Sequence, residues 1–121
     1  MPLVAAFLLG STLTVFATAG PGACNWDFRA DTAMTAVGSG GAKTPEEALA
    51  PVVQLNQHIQ VPPKAVQGGD GDDRAVSVGT DAQGGTGFNI YIEGVHRIFA
   101  YVRQLEDGTY QLDHFSTCLG V

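Results

Sequence analysis

Three aspartates crowd into the stretch Gly68-Gly69-Asp70-Gly71-Asp72-Asp73. Carboxylates on a glycine-rich turn are hard oxygen donors of the kind calcium takes. The ion wants roughly six to eight oxygens, and Asp70, Asp72 and Asp73 offer only about three carboxylates. The stretch therefore reads as a solvated acidic turn, with a weak calcium loop at those three residues as the alternative. The histidines do not gather either. His58, His96 and His114 contain no H-x-x-x-H pair, and no cysteine is left over to join them, so no metal centre is expected. Asp113-His114-Phe115-Ser116 holds the residue types of a catalytic triad. On a strand, however, His114 and Ser116 sit roughly 7 Å apart on one face and Asp113 points to the other. With no nucleophile elbow, P-loop or dinucleotide fingerprint, neither a catalytic residue nor a cofactor is assigned.

The same acidic stretch resembles the opening of the calcium-binding nonapeptide of RTX parallel β-helices, which implies stacked turns sharing ions. A second fragment, Gly84-Gly85-Thr86-Gly87-Phe88-Asn89, matches the pattern as well. Its offset from Gly68 is not a whole number of nine-residue turns, and the residues between read as a strand. The resemblance covers these fragments alone.

The chain has 121 residues, enough for one domain. Leu3 to Ala19 is almost wholly apolar or small and ends in Ala17-Thr18-Ala19, a pattern signal peptidase accepts. Residues 1–19 are therefore expected to be a signal peptide and the protein to be secreted; an uncleaved segment would anchor it to a membrane instead. Twelve acidic residues stand against six basic ones. That balance argues against nucleic acid, and against a membrane surface after cleavage. The two cysteines, Cys24 and Cys118, suit a disulfide in an exported protein. Closing so long a loop stabilises by about 4 to 5 kcal/mol in the chain-entropy model.

Residues 20–43 are rich in Gly, Ala, Thr and Ser and read as an irregular segment pinned by Cys24, with Trp26 and Phe28 capping one edge of the core. The α+β domain follows over residues 44–121. Thr44-Pro45-Glu46-Glu47 has the signature of a capped helix start, and Leu49, Val52, Val53 and Ile59 recur at helical spacing. Pro51 interrupts this helix, giving a kink or two short helices before Val61. From Arg74 the period changes to two. Strands are expected around Val76–Val78, Phe88–Ile92, Val95–Leu105 and Tyr110–Thr117, with two-residue turns at Glu93-Gly94 and Asp107-Gly108. Those turns would pair Ile92 with Val95, Phe88 with Phe99, Tyr101 with His114 and Leu105 with Tyr110. One face would then carry Phe88, Ile90, Ile92, Val95, Phe99, Tyr101, Leu105, Tyr110 and Leu112 against the helix. Ile98, Ala100, Val102 and Phe115 would lie on the other.

A capped helix, TPEEALAPVV, before a meander ending in EDGTYQLDHFSTC resembles small exported domains of the cystatin-like or NTF2-like type. The resemblance implies a helix lying across a curved sheet. The expected fold is α+β, a kinked helix or two short helices on a four-stranded antiparallel meander. The expected function is a secreted, non-enzymatic interaction or binding module whose partner is a protein or a small molecule. The alternatives are a ligand-binding roll or small enzyme, with Tyr101 and His114 lining a helix–sheet cavity, and a protease inhibitor.

Overall fold

The computed structural model describes residues 23–34 and 41–120; the expected signal peptide lies outside them. Five antiparallel strands form a single sheet: β1 (Asn25–Ala33), β2 (Arg74–Thr80), β3 (Thr86–Ile92), β4 (Val95–Gln104) and β5 (Tyr110–Gly120). Their spatial order is β1-β5-β4-β3-β2. The fold expected from sequence therefore needs two corrections. The sheet has five strands, not four, and the kinked helix is reduced to short helical pieces.

The fifth strand comes from the segment that composition marks as irregular. β1 is an edge strand, polar and largely exposed, so it lacks the apolar alternation that betrays a strand. What holds it is the Cys24–Cys118 disulfide, which ties its start to β5, together with pairing from Arg29↔Cys118 to Ala33↔His114. Between Asn25 and Arg29 the register breaks, and Trp26-Asp27-Phe28 bulges from the ladder. Neither aromatic caps the core. Phe28 is 63% exposed, and Trp26 packs on His96 instead.

The helix starts much as its capping residues dictate. The Thr44 hydroxyl accepts the Glu47 amide at 3.1 Å, and the Glu47 carboxylate reaches back to the Lys43 amide at 3.3 Å. A 3₁₀ turn, Glu47–Leu49, then gives way to α1 (Pro51–Leu55), with Pro51 in its first turn, where a missing amide costs least. The helix stops at Asn56 rather than continuing toward Val61. Asn56 turns extended, its side-chain oxygen accepts the amides of His58 and Ile59, and its amide donates to the buried Thr117 hydroxyl at 2.9 Å. A second 3₁₀ turn, Pro63–Val66, completes this layer.

Ala48, Leu49, Val52, Val61, Ala65 and Val66 of the helical layer pack on one face of the sheet, against Phe88, Ile90, Ile98, Ala100, Val102, Leu112 and Phe115. The expected face assignment thus fails in the middle strand, and for Phe115 on β5. Ile98, Ala100 and Val102 are fully buried, while Phe99 and Tyr101 point to the opposite side. Two bulges explain the exchange. Ile92↔Val95 and Tyr91↔His96 pair as expected, but the register slips beyond them, giving Ile90↔Ile98 and Phe88↔Ala100. A one-residue slip moves every following side chain to the other face. On β5, Tyr101↔His114 holds, and the shift at Asp113 carries the ladder on to Val102↔Leu112 and Gln104↔Tyr110.

The turns account for the second slip. Glu93 (φ 54°) and Gly94 (φ 81°) both have positive φ, which makes a tight two-residue hairpin. At the other hairpin only Gly108 is left-handed (φ 86°). The Gly108 amide donates to Leu105 at 3.0 Å and the Leu105 amide to Thr109 at 2.7 Å. This is a three-residue loop closed by a glycine bulge, one residue longer than Asp107-Gly108 alone would give.

Candidate functional site

Among the described residues, no second layer covers the face of the sheet opposite the helical layer; toward one end Trp26 packs over His96. Its centre is built on glycine. Phe99 lies over Gly87, where a Cβ would stand 3.1 Å from its ring and 3.3 Å from Val78. Tyr101 lies over Gly85, where a Cβ would collide with the phenol oxygen. The sheet is thus thin where the aromatic rings lie flat, and both rings are only partly exposed.

Tyr101 is fixed from two sides. Its hydroxyl donates to Asp81, whose other oxygen accepts the amides of Gln83 at 3.0 Å and Gly85 at 2.9 Å. The glycine-rich loop after β2 is therefore folded on itself and pinned to the sheet. This bond is the main reason the Tyr101 phenol ionises above the ordinary tyrosine range; desolvation and the charges of Asp81 and Asp113 add to it. The same bond, with the Gly85 amide second, holds the Asp81 carboxyl below the ordinary range.

Across the strand pair, the His114 ring stacks on Tyr101 with centroids 5.4 Å apart and planes 24° apart. Sequence spacing puts Asp113 on the opposite face from His114, and the bulge overturns that. The Asp113 carboxylate lies 2.8 Å from His114 Nδ1 and 3.7 Å from Arg103 Nε, while Arg103 also donates to Gln111 at 2.9 Å. Held by Asp113 at Nδ1, the His114 ring makes no other side-chain hydrogen bond among the described residues. Ser116 joins no triad, because its hydroxyl donates to Asp31 on β1. The arrangement can stack a flat or apolar group on Tyr101 and His114 and hydrogen-bond it at the rim.

Tyr101 and His114 are thus brought together as the register requires, but on the open face and not in a helix–sheet cavity. An open depression of about 580 Å³ on the helical side is lined by Ile59, Val61, Pro62, Ile92 and Arg97, away from both. The acidic stretch is put to other use. Asp73 accepts the Glu93 amide at 2.8 Å and faces Lys64 Nζ at 3.3 Å, and the Asp72 carbonyl accepts the Gly94 amide at 2.9 Å. The Glu93 bond is the leading reason the Asp73 carboxyl sits below the ordinary range. Asp70 is exposed, and no three potential ligands converge among the described residues. The loop clasps the β3–β4 turn. Cys24 and Cys118 form the expected bond.

The sequence pattern did not single out Asp81 or Arg103, and it placed Asp113 on the wrong face. Asp81 carried a legible signal, an aspartate ahead of a glycine-rich turn whose amides it can accept. Asp113 carried none, since its reach depends on the bulge.

Compared with protein-family models, curated proteins and solved structures, the chain returns no match. Among the described residues, no helix is long and apolar enough to cross a membrane.

Proposed function

We propose that the protein is a small exported, non-enzymatic binding module whose working surface is the uncovered face of its sheet, centred on Tyr101 and His114. The observation that carries this reading is the division of labour between the two faces. Among the described residues, the apolar core cluster lies on the helical side. On the opposite face, nonetheless, a hydrogen bond from Tyr101 to Asp81, a contact from Asp113 and two glycines hold Tyr101, His114 and Phe99 in fixed positions. Ordered aromatic and polar groups on a rigid sheet suit recognition, because little side-chain freedom remains to be lost on binding. The hydrophobic leader and the disulfide support export. A ligand held between helix and sheet has less to rest on, since Phe88, Phe115, Leu49 and Val52 fill that space.

The test is retention from the medium and envelope of the exporting cell by immobilised protein, compared with His114→Ala and Tyr101→Ala. A specific partner held by the wild type should be lost from both variants and kept by Leu55→Ala, on the helical side, with all four proteins equally folded. Loss in Leu55→Ala alone would overturn the reading.

A further inference from the structure

A second cluster on the open face, independent of the binding role, contains a half-buried histidine in an unusual position. His96 sits early on β4 between two aromatic rings. Trp26, from the bulge of β1, lies with its centroid 4.7 Å from the imidazole, and Tyr91 on β3 lies at 5.5 Å. Arg74 on β2 rests over the Tyr91 ring at 4.4 Å. The His96 Nε2 atom is shut off from solvent and has no hydrogen-bond partner among the described residues.

As a bare lone pair on a neutral ring, this nitrogen is tolerable. Once protonated it becomes a cationic donor with neither acceptor nor water, and such a group is costly to keep buried. Among the described residues, no carboxylate pairs with it. The charged groups of the neighbouring elements are Asp27, Arg29 and Asp31 on β1, Arg74 on β2, Glu93 in the β3–β4 turn and Arg97 beside His96. None of the carboxylates comes within 4.0 Å of His96. Arg97 is spoken for, donating to the Cys118 carbonyl at 3.1 Å. The cheapest route to solvation is to move the lid, and the lid is Trp26, carried on a stretch that has already left the ladder.

We infer that His96 and Trp26 form an acid-released latch: proton uptake at His96 detaches the Trp26 bulge from the sheet and exposes the imidazole to solvent. The direction of the histidine's own equilibrium agrees. Burial pushes the His96 pKa below the ordinary value, with a backbone hydrogen bond to Ile98 acting the other way. A depressed pKa means that the closed state is favoured above the ordinary histidine range and loses that preference as pH falls through the folded value.

Trp26 is the only tryptophan in the chain, so its fluorescence reports the latch directly. In the disulfide-intact protein, acidification should shift Trp26 emission to longer wavelength and raise its quenching by acrylamide. The midpoint should lie below about 6.5, the ordinary histidine value. The amide signals of β3 and β4 should stay dispersed, separating latch release from unfolding. His96→Phe keeps a ring under Trp26 and should abolish the transition, although His58 and His114 remain; His96→Gln serves if the phenylalanine variant misfolds. The inference is overturned if emission and quenching do not change with pH. It is equally overturned if the transition survives in the His96 variant, or if His96 protonates by NMR while Trp26 stays shielded, which would mean that the rings hold the cation by cation–π attraction.

Discussion

The two faces of this sheet use the same kinds of residue to opposite ends. On the helical side Phe88 and Phe115 vanish into a continuous apolar layer, and their positions are set by close packing. On the open side Phe99, Tyr101, His114 and Tyr91 remain partly exposed, and their positions are set one at a time, by a glycine beneath a ring, an aspartate on a phenol, or an arginine over a face. The first arrangement stabilises the fold. The second adds little stability and leaves ring faces and acceptors to solvent, which is what a recognition surface needs.

The largest expected effect tests that contrast with the smallest chemical difference, one phenylalanine against another. Phe115→Ala should cost about 3–5 kcal/mol through lost burial and a cavity. Phe99→Ala, on the next strand but the other face, should cost about 1 kcal/mol or less, as for a cross-strand contact. Urea midpoints of the two variants would measure both. Equal losses would mean that the open face is covered by something and is part of the core.

The turns offer a sharper and smaller test. Gly108→Val places a β-branched residue at positive φ and should destabilise by about 1–2 kcal/mol. Gly71, which has ordinary φ and open space around its Cβ position, should accept the same change almost without loss. Denaturation curves read the difference. A tolerant Gly108 would break the three-residue loop, and with it the shift that brings Asp113 to His114.

These turns also mark how far the sequence could be read. Alternation and turn residues locate β2 to β5, and the Thr44 and Glu47 cap locates the helix start, because each rests on local geometry. Two things had no local signature. β1 is too polar to announce itself and depends on a disulfide partner at the far end of the chain. The slips near Arg97 and at Asp113 leave no mark on the alternation of Val95–Leu105, yet they decide which half of that strand is core. Tyr101 and His114 could be paired from sequence because the displacement from the longer turn is cancelled before it reaches them. Their side of the sheet could not be, since it follows from the slip on β3–β4.

The smallest expected effect is a shift in ionisation with little change in stability. Because the Asp81 bond raises the Tyr101 pKa, the folded protein holds that proton more tightly than the unfolded chain does. Any stability from this source is present below the ordinary tyrosine value of about 10 and is lost as pH rises through the folded value. Absorbance titration should show Tyr101 ionising late, and Asp81→Asn should bring it back toward the ordinary value of about 10. An unchanged titration in Asp81→Asn would detach Tyr101 from the loop.

The division into a packed face and an open one is tested most directly by hydroxyl-radical footprinting of the native, disulfide-intact protein. Phe88 and Phe99 are the informative pair, since an uninterrupted two-residue register would put them on one face and the slip puts them on opposite faces. Phe99 and Tyr101 should be modified in the native state, while Phe88 and Phe115 should be protected until the protein unfolds. Protection of Phe99 together with Phe88 would contradict that division.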